Sequence, residues 1–539
     1  MTDTLPAARA ADAKSRPARV HADAETMVIR MGPGRDWTAW AVGALAAVLS
    51  ICSTAYYVQQ NLILAYQDSF SHLEISRRVV SGLSPGIAQL GGVWLPLPQL
   101  MQSMFSWNWT LYRTGLAGSV VCMAAYVASS VYLYRIVRIF SGKQKWPAVA
   151  GAMVFIANVN VLYHQSTTMD ELPFYAFTLA AIFYLVRWGQ NKRPTDLLAG
   201  SAASLLAMLC RYEGWYLAGV FLICVVIMAR KLGYSWSDTR GLALVNLVFG
   251  LLISAAAWLL YNYMIFGNAL NFQNGPYSSQ AQMAERHGDV YVGDWVLSSR
   301  AYGTAVVSNL GYAVIAAAVA GLILFLVKER FSARSLPILA LITLLPFFVY
   351  TLEAGQEPIG LPQVDGGLIN YRYGLLAILP AAILIGYLLS RIPKPTAKPV
   401  AVVTALALLG ANGYVFARHQ VVLATEARSD QQAQQLQVEA GDFLQNHTSG
   451  LILLDIVQNE RVGFDVVDRT VYDGTKGPDG NEWTKALADP QAYDIHVIVM
   501  RLPGNGLGVD NVYFALNDTK QLKAYHEVYS NPSYAIYED

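Results

Sequence analysis

Long apolar runs set the first picture of this chain. From residue 37 onward, stretches of about 20 residues with few charges recur, each long enough to cross a bilayer core of about 30 Å. About eleven spans are predicted, at 37–62, 115–138, 146–163, 171–188, 195–210, 214–229, 241–266, 303–327, 335–352, 372–390 and 399–417. Two connections between them are long and polar. The first, 63–114, is broken by Pro and Gly too often to span, as in Gln89 to Pro98. It suits short helices in the membrane interface, with Trp94, Trp107 and Trp109 at headgroup level. The second, 267–302, is polar and aromatic (Asn271 to Tyr277, then Gln280 to Asp294) and reads as a lid or a substrate-facing loop. After residue 420 the pattern changes. A Gln/Ala-rich helix is expected over 430–445 and buried strands over Leu451–Asp455 and Ile495–Met500, with further strands at Val512–Leu516 and Tyr534–Tyr537. The fold class is therefore a polytopic α-helical membrane protein. Its regions are a transmembrane domain over 37–420 and a small extracytoplasmic α/β domain over 421–539. The first 36 residues are polar, lack the apolar core of a signal peptide, and read as a disordered cytosolic tail.

Composition supports this class. Hydrophobic residues make up 54% of the 539 and charged ones 14%, against about 25% charged in soluble domains. The net charge of +1 says less than its distribution. With the N-terminus inside, beside Arg9, Lys14, Arg16, Arg19, Arg30 and Arg35, each inner connection is basic. Arg135 to Lys145, Arg187 to Arg193, Arg230 to Arg240, Lys328 to Arg334 and Arg391 to Lys398 all fall there. The outer connection after the third span has no Lys or Arg. This places the chain in the plasma (inner) membrane as a multi-pass protein, with the C-terminal domain outside. Cys52, Cys122, Cys210 and Cys224 lie in or beside apolar runs without metal-site spacing and read as packing residues. No Gly-rich phosphate loop, Cys/His cluster or solenoid repeat is present, and nothing points to nucleic acid.

On this topology the unusual polar groups converge on the outer side. Asp68, His72 and Glu74 follow the first span. Thr167 to Pro173, with Asp170 and Glu171, precedes the fourth. Arg211 and Glu213 join the fifth and sixth. Glu353, Glu357, Asp365 and Asn370 to Tyr373 precede the tenth. Ionisable groups beside lipid are costly unless paired or used. Each also has an ordinary structural reading. Asp68 could cap the helix that follows it, and Glu74 with Arg78 has the spacing of a helix-surface pair. His72, one turn from Asp68, could be a hydrogen-bond partner. Thr168 with Glu171 matches a capping box, and Arg211 with Glu213 could be a local ion pair. Arg372 at a helix start opposes the dipole, which argues for an anionic partner. As chemistry, a carboxylate can take the proton of an acceptor hydroxyl. Guanidinium groups at the membrane edge can hold a lipid phosphate and stabilise it as it leaves. A donor used outside the cell must arrive in the membrane, which fits a lipid-phosphate carrier.

The segments Tyr66 to His72, Val93 to Pro98, Arg211 to Trp215 and Tyr371 to Gly374, together with the span count and outer domain, resemble the GT-C superfamily of membrane glycosyltransferases. Within it, the chain is most similar to polyprenyl-phosphate-sugar enzymes of the protein-mannosyltransferase and aminoarabinose-transferase type. The resemblance implies Asp68 as general base, with His72, Glu74, Asp170, Glu171 and Glu213 positioning acceptor or donor. It implies Arg211, Tyr371 and Arg372 at the lipid phosphate. The implied reaction is inversion at the anomeric carbon, from a polyprenyl-phosphate-linked sugar to a hydroxyl of a glycan, glycolipid or protein. Asp68 is followed by Ser-Phe-Ser-His, where protein mannosyltransferases commonly carry an Asp-Glu pair, which weakens the case for a protein acceptor. Asp68 with Asp170 or Glu171 could hold a hard divalent cation. Members using a monophosphate carrier generally work without a metal, so no metal ligand and no required cofactor are assigned. Two other readings stay open: a transporter or lipid flippase, and a non-catalytic scaffold of envelope-glycan assembly.

Overall fold

The computed structural model describes residues 36–275, 278, 281, 290–356, 359–457, 459–472, 480–504 and 508–539. The expected cytosolic tail up to residue 35, part of the 267–302 connection and Glu357 lie outside them. The described chain from Asp36 onward packs within one compact unit. Among the described residues, nine helices are long and apolar enough to cross a membrane, against the eleven or so expected. They are Trp37–Gln59, Leu116–Phe140, Glu171–Asn191, Glu213–Lys231, Trp236–Phe266, Tyr312–Glu329, Leu336–Glu353, Tyr371–Leu389 and Lys394–Ala433.

The difference has local causes. The run at 146–163 divides into Lys145–Ile156 and Val159–His164, because the Asn158 side chain accepts from the amides of Asn160 and Val161 and starts a new helix. Twelve residues of helix rise only about 18 Å. The run at 195–210 forms a helix of 15 residues, Pro194–Met208. The run at 303–327 is cut at Gly311, whose φ of 76° ends Trp295–Leu310 before Tyr312–Glu329 begins. Short Lys145–Ile156 is nonetheless central. A Cβ on its Gly151 would lie 2.8 Å from the Ala382 carbonyl oxygen and 3.0 Å from Gly386 Cα, so this helix and Ile378–Leu389 touch backbone to backbone.

The connection 63–114 folds into the short helices Gln67–Val80 and Pro96–Ser106 and short turns. Gln67–Val80 suits its dipole, with Asp68 in the first turn and Arg77 and Arg78 in the last. Its Phe70 and Leu73 pack with Tyr112, Ala117, Phe464 and Val467, burials of about 1.5–3 kcal/mol each. Beyond the last long helix, the C-terminal region builds a five-stranded sheet in the order β2-β1-β3-β5-β4. The strands are β1 (Leu451–Leu454), β2 (Thr470–Tyr472), β3 (Ile495–Arg501), β4 (His526–Ser530) and β5 (Tyr534–Glu538). The first three run parallel and β5 is antiparallel to both β3 and β4. Apolar clusters cover both faces. Val512–Leu516, expected as a strand, is instead part of the helix Asn511–Leu516, capped by Asp510.

This region docks on the interfacial helices. Arg77 makes a two-pronged pair with Asp468 (Nε to Oδ1 3.0 Å, Nη2 to Oδ2 2.5 Å) and donates to the Ser106 and Trp107 carbonyls at 2.8 Å. Arg113 pairs with Asp465 at 2.9 Å, and the Tyr112 hydroxyl donates to the Phe464 carbonyl at 2.8 Å.

Candidate functional site

The site is assembled where several long helices begin. Glu171, Glu213 and Arg372 each lie in the first turn of a helix, and Asp68 opens the interfacial helix after the first span. Gly374 makes one of these placements possible. A Cβ there would sit 2.4 Å from the Ala305 carbonyl carbon and 2.6 Å from its oxygen, so only glycine lets the turn Tyr371–Ala377 press onto Trp295–Leu310. Asn309 fixes the same turn by donating to the Tyr371 carbonyl at 2.7 Å. Tyr371 is itself buried, and its neighbour Arg372 carries the charge into the site.

A chain of alternating charge follows. Arg372 Nη2 lies 2.5 Å from Asp68 Oδ2, and its Nε lies 3.1 Å from Glu171 Oε1. The same Glu171 oxygen accepts from Arg211 Nη1 at 3.0 Å, and Arg211 reaches Glu213 Oε1 with Nε at 2.8 Å and Nη2 at 2.7 Å. The other Glu171 oxygen meets His164 Nε2 at 2.9 Å. The Tyr373 ring lies 5.2 Å from both guanidinium carbons, and Tyr66 flanks Arg372 at 5.7 Å. Burial separates the members. The side chains of Arg372, Glu171 and Glu213 are 7% exposed or less, whereas that of Asp68 is 31% exposed. Asp68 is the carboxylate of this chain that an incoming group can reach.

A second layer, without a guanidinium, lies beside it. Gln99 Nε2 is 2.7 Å from His72 Nδ1, and His72 Nε2 is 3.5 Å from Asp170 Oδ2. The His72 ring lies against half-buried Trp94, with centroids 4.3 Å apart. Burial lowers the His72 pKa to about 4, against the opposing pull of Asp68, so the imidazole is neutral at physiological pH. Burial, reinforced by the adjacent Glu171 charge, raises the Asp170 pKa well above the usual carboxylate range. Asp170 Oδ1 and Gln99 Oε1 are buried without a protein partner.

Asp68, Glu171, Arg211, Glu213 and Arg372 thus meet in one network, with His72 and Asp170 next to it. Glu74 does not. It forms an ion pair with Arg78, whose guanidinium lies 4.0 Å from the centre of the Tyr472 ring, and both face the C-terminal region. Burial raises the Glu74 pKa against the effect of Arg78. The structural readings resolve individually. The helix begins at Gln67, so Asp68 is not its cap. The Thr168 hydroxyl donates to the Ser69 carbonyl and makes no capping box. Sequence reasoning missed His164, Gln99 and Glu426. Glu426 is buried on Val422–Ala433, where the Tyr66 hydroxyl donates to it at 3.1 Å. His164 had a signal in standing seven residues before Glu171; Glu426 had none.

The donor set is poorly suited to a cation. Glu171 and Glu213 already face guanidinium groups, and so does Asp68. Among the described residues, no group of three or more His, Cys, Asp or Glu is arranged to hold a metal ion.

Residues 111–271 match the family model for dolichyl-phosphate-mannose-protein mannosyltransferase. No curated protein sequence matches the chain. Among solved structures, ArnT from Cupriavidus metallidurans bound to undecaprenyl phosphate superposes with a TM-score of 0.58 at 14% identity, covering 93% of this chain and 98% of that one. The same protein in the apo state gives 0.52 over the same coverage, also at 14% identity. The chain therefore shares its fold with ArnT, and its residues 111–271 match a protein-mannosyltransferase family model.

Proposed function

We propose that this protein is an inverting membrane glycosyltransferase that moves a sugar from a polyprenyl-phosphate donor to a hydroxyl acceptor at the outer face of the membrane. The observation that carries the reading is the partly exposed Asp68 carboxylate at the end of a buried chain of two arginines and two glutamates. In the step this arrangement suits, the acceptor hydroxyl oxygen attacks the anomeric carbon from the face opposite the phosphate. Its proton passes to Asp68 as the new C–O bond forms. The bond from the anomeric carbon to the phosphate oxygen breaks, and its electron pair leaves on polyprenyl phosphate. Arg372 and Arg211 oppose the charge that develops there. Their burial strengthens this effect, because nearby water is sparse. The bound undecaprenyl phosphate of the similar ArnT structure supports a carrier of that chemistry.

The second layer of Trp94, His72, Gln99 and Asp170 offers an aromatic face and unpaired hydrogen-bonding atoms next to Asp68, in keeping with a role in positioning a sugar. Glu74 is better suited to holding the interfacial helix on the C-terminal region than to touching substrate. A transporter would place its ionisable groups near the middle of broken spans. Here they stand in first turns, at one end of the helices. A scaffold would have no need for an exposed carboxylate on a buried cationic network. The test is transfer by purified protein from polyprenyl-phosphate-linked sugars. Asp68→Asn should slow transfer by about 10²–10⁴-fold without lowering the melting temperature, and unchanged transfer would remove Asp68 as the base.

A further inference from the structure

Arg372 serves two roles that exclude one another. In the structure its Nη2 is committed to Asp68 Oδ2 at 2.5 Å, the one carboxylate of the network open to solvent. The proposed reaction needs the same guanidinium at the donor phosphate and the same carboxylate free to accept a proton. A carboxylate oxygen occupied by a guanidinium at this distance is not free to meet an acceptor hydroxyl. The buried end of the guanidinium has its own surroundings. Its Nε lies 3.1 Å from Glu171 Oε1 as an ion pair without hydrogen-bond alignment, and the Tyr66 and Tyr373 rings flank it at 5.7 and 5.2 Å. Glu171 is in turn fixed by Arg211 and His164. Arg372 can therefore turn its outer nitrogen from one oxygen anion to another without leaving its seat.

We propose that Asp68 and the donor phosphate compete for Arg372, so that loading of the lipid-phosphate donor releases Asp68 and turns on the base. This rests on the glycosyltransferase reading above and adds to it an order of events. Before the donor binds, the base is latched and an acceptor or water molecule meets an ion pair. After the donor binds, the phosphate takes the guanidinium and Asp68 stands unpaired at the acceptor hydroxyl. The latch protects against acceptor activation in an unloaded site and imposes donor-first binding. It also assigns Glu171 as the positioning residue for Arg372 in both states.

The competition is tested by binding alone, with undecaprenyl phosphate as the probe and the full-length protein in detergent or nanodiscs. Removing the competitor should strengthen binding. Asp68→Asn is expected to bind undecaprenyl phosphate about tenfold more tightly than the wild type, about 1.4 kcal/mol, while Arg372→Gln weakens it at least as much. If Asp68 merely anchors Arg372, Asp68→Asn binds equally or more weakly, and the latch is overturned. Asp68→Ala provides a second variant without amide hydrogen bonds and should shift affinity in the same direction. Equal melting temperatures exclude misfolding as the cause. Binding by wild type with no gain in either Asp68 variant defeats the latch and leaves the donor assignment standing. No binding by wild type or by either variant defeats the donor assignment, and the latch with it.

Discussion

At the scale of single residues, two adjacent acids have opposite environments. Glu171 faces two guanidinium groups and an imidazole, whereas Asp170 is buried against neutral His72 and Gln99. Glu171→Gln leaves buried Arg372 and half-buried Arg211 each short of a partner and should cost about 3–5 kcal/mol, read as a large fall in melting temperature. Asp170→Asn replaces a group whose neutral form the fold favours with a neutral one of the same shape. Because the folded Asp170 pKa is raised, its favourable contribution is complete below the unfolded value of 3.8 and is lost as pH rises toward the folded value. The melting temperature of Asp170→Asn should therefore gain on wild type as pH rises from 4 to 8; a gap constant with pH would contradict the assignment. The sequence made Asp68, Glu171, Arg211 and Arg372 visible because charges near apolar runs are rare, and alternating topology placed them together. It could not make Glu426 visible. That contact joins positions about 360 residues apart, across a region whose own pattern reads only as a polar helix.

At the scale of elements, the site depends on backbone approach as much as on charge. The turn Tyr371–Ala377 delivers Arg372 only because Gly374 lets it lie against Ala305. Gly374→Ala must push that turn outward. It is expected to weaken undecaprenyl phosphate binding about tenfold, while binding at wild-type strength would show that Arg372 is not at the phosphate. The same scale shows where periodicity misleads. A run of five apolar residues at Val512–Leu516 fits a buried strand or a buried helix equally well. The Asp510 side chain, accepting from the Tyr513 amide, decides for helix. Spans at 146–163 and 303–327 had the length and hydropathy to cross, but Asn158 and Gly311 end helices inside them. One polar cap alters a span count without altering the mean hydropathy, whereas the glycine only moves a span's start.

At the scale of the whole molecule, the polar network and the docked C-terminal sheet lie at the helix ends that face away from the basic connections. If the basic connections are cytosolic, the site is outside, where a sugar must arrive on a lipid. Lys520→Cys should then react with a membrane-impermeant thiol reagent on intact cells, and Lys143→Cys only after permeabilisation; the reverse pattern would move the site to the cytosol. The central claim is that Asp68 takes the proton of the acceptor hydroxyl during sugar transfer. Its most direct measurement is the transfer rate from polyprenyl-phosphate-linked sugars, wild type against Asp68→Asn, under conditions where both bind undecaprenyl phosphate. The expected rate in the variant is lower by about 10²–10⁴-fold, with melting temperature unchanged and lipid-phosphate affinity undiminished. Transfer by Asp68→Asn at the wild-type rate would contradict it.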